Sequence, residues 1–136
     1  MRRAGPPGAL VLGSDFRALG VVRSLGRRGV PSVLVDSLPR AAWFSRYVWS
    51  RTRWRGSMRD PALCDLLLDL AVRQRLHGWV LFPMQDDTVE LVARYRERLR
   101  GAFRVPTPGW LVVRQALDKR LTYALAEQAG VHCPRT

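Results

Sequence analysis

Short apolar runs alternate with amphipathic stretches along the chain. Ala9-Leu10-Val11-Leu12, held between Gly8 and Gly13, has strand length and no polar alternation, the pattern of a strand covered on both faces. Ser14 and Asp15 then supply N-cap oxygens, Phe16, Leu19, Val22 and Leu25 recur at helical spacing, and Gly29 offers a stop. Val33-Leu34-Val35 reads as a second buried strand ending at Asp36. Residues 8–36 therefore have the length of a strand–helix–strand crossover. Asp60-Pro61 predicts a helix start, followed by the stripe Leu63, Leu66, Leu67 and Leu70 and closed by Gly78. Trp79-Val80-Leu81-Phe82 predicts a further buried strand stopped by Pro83. Asp86 or Asp87 is expected to cap a helix carrying Val89, Val92, Ala93 and Leu99 and ending by Gly101. A brief strand is expected at Phe103-Arg104-Val105, then a short helix from Pro108 to Ala116 and a better one from Asp118 to Ala129 with Gly130 as its stop. Such alternation predicts an α/β fold: an open, mostly parallel sheet with helices on both faces.

The stretch from Arg40 to Arg59 breaks the pattern. It holds six arginines, no acids, and Trp43, Phe44, Tyr47, Trp49 and Trp54. Tyr47-Val48-Trp49 is readable as a short strand near the sheet edge, though the periodicity is poor.

Composition narrows the class. The 136 residues are 47% hydrophobic and 25% charged, with a mean hydropathy of −0.13, which suits one compact domain and excludes a disordered tail. No apolar run approaches the ~20 residues of a membrane-spanning helix, and the apolar stretch after Met1-Arg2-Arg3 is too short for a secretory signal. Cys64 and Cys133 lie far apart with no CxxC or Cys/His cluster, so neither a disulfide framework nor a zinc site is implied, and a reducing cytoplasm is the default compartment. The formal net charge is +12. Of the 23 basic residues, 22 are arginine and only Lys119 is lysine. Phosphate binding does not require that ratio, so the skew reads as a coding bias spread over the surface, and the charge is discounted as a sign of a nucleic-acid partner.

In an open α/β sheet, ligands bind beyond the carboxyl ends of the strands, which directs attention to three loops. The first turn, Gly13-Ser14-Asp15-Phe16-Arg17-Ala18, matches G-x-G-x-x-G/A at its first and third positions but places Asp15 at the second, where a carboxylate would repel a pyrophosphate. The helix N-terminus still suits a small carboxylate, with Ser14 and Arg17 as contributors. Asp36 stands where a dinucleotide fold places its ribose-binding acid. In the third loop, one of Asp86 and Asp87 serves as the helix cap; Asp87 faces the crevice if Asp86 is that cap. Lys119, the single lysine, sits at a helix start, where a cation opposes the dipole unless an anion compensates.

Taken together, several segments resemble one family. They are Ala9-Leu10-Val11-Leu12-Gly13-Ser14, Val21-Val22-Arg23-Ser24-Leu25-Gly26, Ser45-Arg46-Tyr47, Val80-Leu81-Phe82-Pro83 with Asp86-Asp87, Leu117-Asp118-Lys119, and Ala126-Glu127-Gln128-Ala129-Gly130-Val131-His132-Cys133-Pro134-Arg135-Thr136. The pattern looks like the N-terminal, pre-ATP-grasp region of an ATP-grasp carboxylate–amine ligase. The resemblance implies a Rossmann-like lobe over residues 1–117, with residues 118–136 starting the linker and helix that lead into an ATP-grasp module. It implies ATP and Mg²⁺ as cofactors of the complete enzyme and an acyl-phosphate mechanism on a small carboxylate substrate. It carries an ATP-phosphate role over to Lys119 and places Gly13, Ser14 and Asp87 near the substrate crevice. In relatives the glycine-rich phosphate loop, adenine pocket and metal ligands lie beyond the position of Thr136. The expectation is therefore a fragment, inactive alone and binding no cofactor by itself, which self-associates through Leu121 and Leu125. Two other readings stay open: a free-standing Rossmann-like module for a nucleotide or small anion, and an arginine-rich nucleic-acid binder acting through Arg40 to Arg59. The arginine skew and the resemblance favour the ligase lobe.

Overall fold

The computed structural model describes residues 6–134. The basic start of the chain and the last two residues of its family-like tail lie outside that range. The elements run β1 (Ala9–Leu12), α1 (Phe16–Gly26), β2 (Ser32–Asp36), a 3-10 turn (Ala41–Phe44), β3 (Val48–Arg53) and α2 (Ala62–Arg73). They continue with β4 (Val80–Pro83), α3 (Asp86–Arg94), α4 (Arg96–Leu99), α5 (Trp110–Leu117) and α6 (Lys119–Gln128).

The four strands form one parallel sheet in the order β3-β2-β1-β4. Every residue of β1 is buried, as expected of a strand with hydrogen-bonded neighbours on both sides and helices on both faces. Side chains separate by parity. Leu10, Leu12, Val33 and Val35 face a layer containing Leu63 and Leu67 of α2 and Leu91 and Val92 of α3. Ala9, Val11 and Leu34 face Ala18 and Val22 of α1, with Ala42 of the 3-10 turn. The expected α/β class and two-sided covering are thus present.

Local details depart from the sequence reading in three places. The edge strand β3 is longer than Tyr47–Trp49, because Ser50 and Thr52 turn inward while Trp49, Arg51 and Arg53 are exposed. Phe103–Val105 forms no full strand. It contributes a bridge from Arg104 to Val80, with the Arg104 amide donating to Trp79 O and the Leu81 amide donating to Arg104 O. The helix after β4 is broken at Tyr95, whose φ of −104° and ψ of 20° leave the helical region and separate α3 from α4.

Helix α6 buries none of its residues, and Leu121 and Leu125 are 38% and 42% exposed. Cys64 on α2 is fully buried, and burial pushes its thiol up to about 11. No described helix is long and apolar enough to cross a membrane.

The contrast between α2 and α6 sets an expectation for stability. Leu67→Ala removes a fully buried side chain and should cost about 2–5 kcal/mol. Leu125→Ala, on the uncovered helix, should cost less than about 1 kcal/mol. Urea denaturation followed by circular dichroism measures both; equal losses would show that α6 is packed as tightly as α2.

Candidate functional site

Strand order reverses between β1 and β4, so the crevice lies where their loops meet. Gly13 marks the point of contact. Its φ of +116° suits glycine, and a Cβ there would lie 3.3 Å from Met84 Cβ. The Gly13 amide donates to Val35 O at 2.8 Å and the Met84 amide to Leu12 O at 3.1 Å, so both loops leave the sheet under restraint.

Ser14 is fully buried behind this turn. Its hydroxyl donates to Asp36 Oδ2 at 2.6 Å, lies 3.0 Å from Leu38 O, and accepts from the Arg40 amide at 3.1 Å. Asp36 Oδ1 accepts from the Ser37 amide at 2.7 Å. The strand-end acid is therefore committed to holding the β1 and β2 loops together, and its carboxylate does not stand free for a ribose. The Ser14 hydroxyl faces the protein interior, so what Ser14 does for a ligand passes through the shape of the turn.

Asp15 is the N-cap of α1. Its Oδ1 accepts from the Arg17 and Ala18 amides at 3.0 and 3.2 Å. The Arg17 guanidinium grips the other oxygen through Nε at 2.9 Å and a terminal nitrogen at 2.7 Å. Burial pushes the Asp15 carboxyl up, but the Arg17 hydrogen bond, the Ala18 amide, the Arg17 charge and the Gln85 side chain together hold it below its ordinary value of 3.8. The helix terminus proposed for an external anion is thus capped by the chain's own carboxylate. Arg17 is tied to that carboxylate, with about half of its side chain still exposed.

Across the crevice, Gln85 is the N-cap of α3 in place of Asp86 or Asp87. The Gln85 amide donates to Thr88 Oγ1 at 3.1 Å, a reciprocal arrangement that a polar residue three positions after the cap supports. Asp86 and Asp87 occupy the first helical turn, where negative charge favours the dipole. Asp87 pairs with Arg59 at 2.6 Å on the surface. Sequence spacing gave no sign of Arg59 pairing with Asp87 or of Gln85 lying near Asp15; the Gln85-x-x-Thr88 pattern was the available signal for the cap.

Lys119 lies apart from these loops. It opens α6 after the N-cap Asp118, which accepts from the Arg120 amide at 2.9 Å and whose carboxyl is held low chiefly by the Arg120 side chain. The ammonium is exposed, makes no ion pair among the described residues, and borders a cleft shared by Glu90, Trp110, Arg114, Leu117 and Leu121. Glu90 lies one helical turn after Asp86, so α3 carries side chains of both the crevice and this cleft. Arg94 joins the two walls by donating to Glu90 at 2.8 Å and lying 3.8 Å over the Trp110 ring. Among the described residues no three His, Cys, Asp or Glu side chains converge as metal ligands.

No protein-family model matches the chain. No curated protein matches its sequence. Among solved structures, the crystal structure of an L-amino acid ligase from Bacillus licheniformis superposes with a TM-score of 0.69 over 96% of this chain, at 14% identity. The likeness is one of fold. This chain spans about a third of that ligase, 32% of its length.

The Asp15 cap yields a pH prediction. A carboxyl lowered in the folded state adds stability above its unfolded value, and that contribution is lost as pH falls through the lowered native value. Asp15→Ala should therefore cost about 1 kcal/mol at neutral pH and shrink the loss of stability seen on acidification below about pH 4. Denaturation midpoints measured between neutral and acidic pH check it. A deficit that stays constant across that range would show that the Asp15 charge contributes nothing.

Proposed function

We propose that the chain is the Rossmann-like, substrate-facing lobe of an ATP-dependent ligase that joins a carboxylate to an amine. The observation that carries this reading is the fold likeness to an amino acid ligase across nearly all of the described chain. The exposed ammonium of Lys119, without an ion pair among the described residues and beside a cleft walled by α3, α5 and α6, supports it.

In this reading Gly13 and the buried Ser14 shape the turn that approaches the carboxylate substrate, Arg17 offers its exposed guanidinium edge, and Asp87 bounds the opposite side. Lys119 meets a phosphate of ATP. ATP with Mg²⁺ would supply the activation, its terminal phosphoryl group passing to the carboxylate with release of ADP, and the amine would then displace phosphate to form the amide. The described residues fit only part of that cofactor: they provide one free ammonium and no carboxylate cluster for the metal. The remaining contacts would come from an ATP-binding module, and the lobe alone is expected to be inactive.

A free-standing dinucleotide module is disfavoured because its contact points are taken: the Arg17 and Ala18 amides at the first turn already donate to Asp15, and Asp36 is bonded to Ser14.

Calorimetric titration tests the reading. ATP–Mg²⁺ and NADH should each show negligible binding to this chain alone. In an enzyme uniting the lobe with an ATP-grasp module encoded alongside it, Lys119→Ala should raise the KM for ATP by about ten-fold or more, the scale of one charge-assisted hydrogen bond, and Lys119→Arg should recover part of the loss. Tight NADH binding by the chain, or adjoining coding sequence lacking a glycine-rich loop and acidic metal ligands, would overturn the assignment.

A further inference from the structure

The positive charge is segregated along the chain. Residues 16–59 contain ten arginines and one acid, Asp36, with Arg17 and Arg59 paired to Asp15 and Asp87 outside the segment, whereas residues 60–136 hold eleven basic and nine acidic side chains. The acid in the first segment is buried and bonded to Ser14, so it neutralises nothing at the surface. A coding bias exchanges lysine for arginine. It does not remove carboxylates from one segment and keep them in the next.

Geometry gathers part of this charge into one surface. Helix α1 starts at the crevice and runs back against the strands, so its last turn lies at the opposite end of the sheet. There the Tyr47 ring sits so close to Gly26 that a Cβ at that position would clash with it. Arg23 and Arg27 line a depression with Phe44, Arg46 and Tyr47. A second depression containing Arg28 shares Arg23 and Arg27, and a third containing Trp49 shares Arg46 and Tyr47. The depressions are therefore continuous. None of Arg23, Arg27, Arg28 and Arg46 has a carboxylate partner among the described residues, although eight ion pairs form elsewhere. Phe44 and Trp49 are 77% and 60% exposed at this surface.

We propose that this surface binds single-stranded nucleic acid, with Arg23, Arg27, Arg28 and Arg46 on the phosphates and Phe44 and Trp49 as stacking platforms for bases. The cations alone would suit any polyanion. Exposed aromatic faces between them select an unpaired strand, because bases in a duplex already stack on one another and a polycarboxylate has no π-face to offer. The site is independent of the ligase reading, since it lies at the other end of the sheet and uses none of the crevice residues.

Fluorescence anisotropy of a labelled single-stranded DNA of about 20 nucleotides, longer than one small domain occupies, tests the proposal with the whole chain. Four phosphate contacts on a single strand predict about 50-fold weaker binding when salt rises from about 50 to about 200 mM. Replacing Arg23, Arg27 and Arg46 together by Gln should weaken binding at least ten-fold, as the loss of three phosphate contacts requires. The same change at Arg73, Arg98 and Arg100, which removes equal charge from the other segment, should have little effect. Phe44→Ala should weaken single-strand binding about five-fold or more, the scale of one lost stacking contact. Absence of binding at low salt would overturn the proposal, as would equal effects of the two triple variants. Competition by duplex DNA or polyglutamate as effective as that by unlabelled single strand would also overturn it.

Discussion

Because β1 lies between β2 and β4 with every side chain buried, the chain must leave it through a turn that touches both neighbours, and Ser14 closes that turn. One hydroxyl reaches the Asp36 carboxylate, the Leu38 carbonyl and the Arg40 amide, so three loop positions from the β2 side are referred to a single atom. Burial makes the contact costly to lose, since a carboxylate left without its donor cannot turn to water for another. The crevice takes its shape from this restraint: with Ser14 held on the β2 side, Gly13 is brought against Met84 on the β4 side, and Asp15 comes within reach of Gln85.

The same restraint divides the loop residues into those that build the crevice and those that face it. Ser14 and Asp36 build it. Asp15 and Arg17 neutralise each other at the start of α1, and Asp87 and Arg59 do so across its rim. Around the crevice these acids and arginines are paired, while Arg23, Arg27, Arg28 and Arg46 at the opposite end have no carboxylate partner among the described residues. Lys119 stands outside both arrangements, on a helix that buries none of its residues.

Much of the fold was legible because its decisive strands are covered on both faces and carry uninterrupted apolar runs, as Ala9–Leu12 and Val33–Val35 do. The edge strand β3 was legible only at its start, Val48-Trp49, because beyond it the pattern is inverted: small polar Ser50 and Thr52 turn inward while Arg51 and Arg53 are exposed. The loops around the crevice were legible in their local geometry more than in their pairings. The unusual φ of Gly13 and the capping role of Asp15 follow from the turn motif, and the start of α6 at Lys119 follows from Asp118. That Arg17 would be held by Asp15, and Asp87 by a side chain 28 positions earlier, depends on loop paths that no local pattern encodes.

The buried thiol of Cys64 has a practical corollary. With its sulfur inside the layer beneath α2 and its ionisation pushed up to about 11, the native residue offers alkylating reagents neither access nor a thiolate. Reaction at that sulfur has to wait for α2 to lift from the sheet, while Cys133 is already partly exposed in the native fold. The chain thus carries its own clock: the ratio of label at the two cysteines over time counts how often the interior opens.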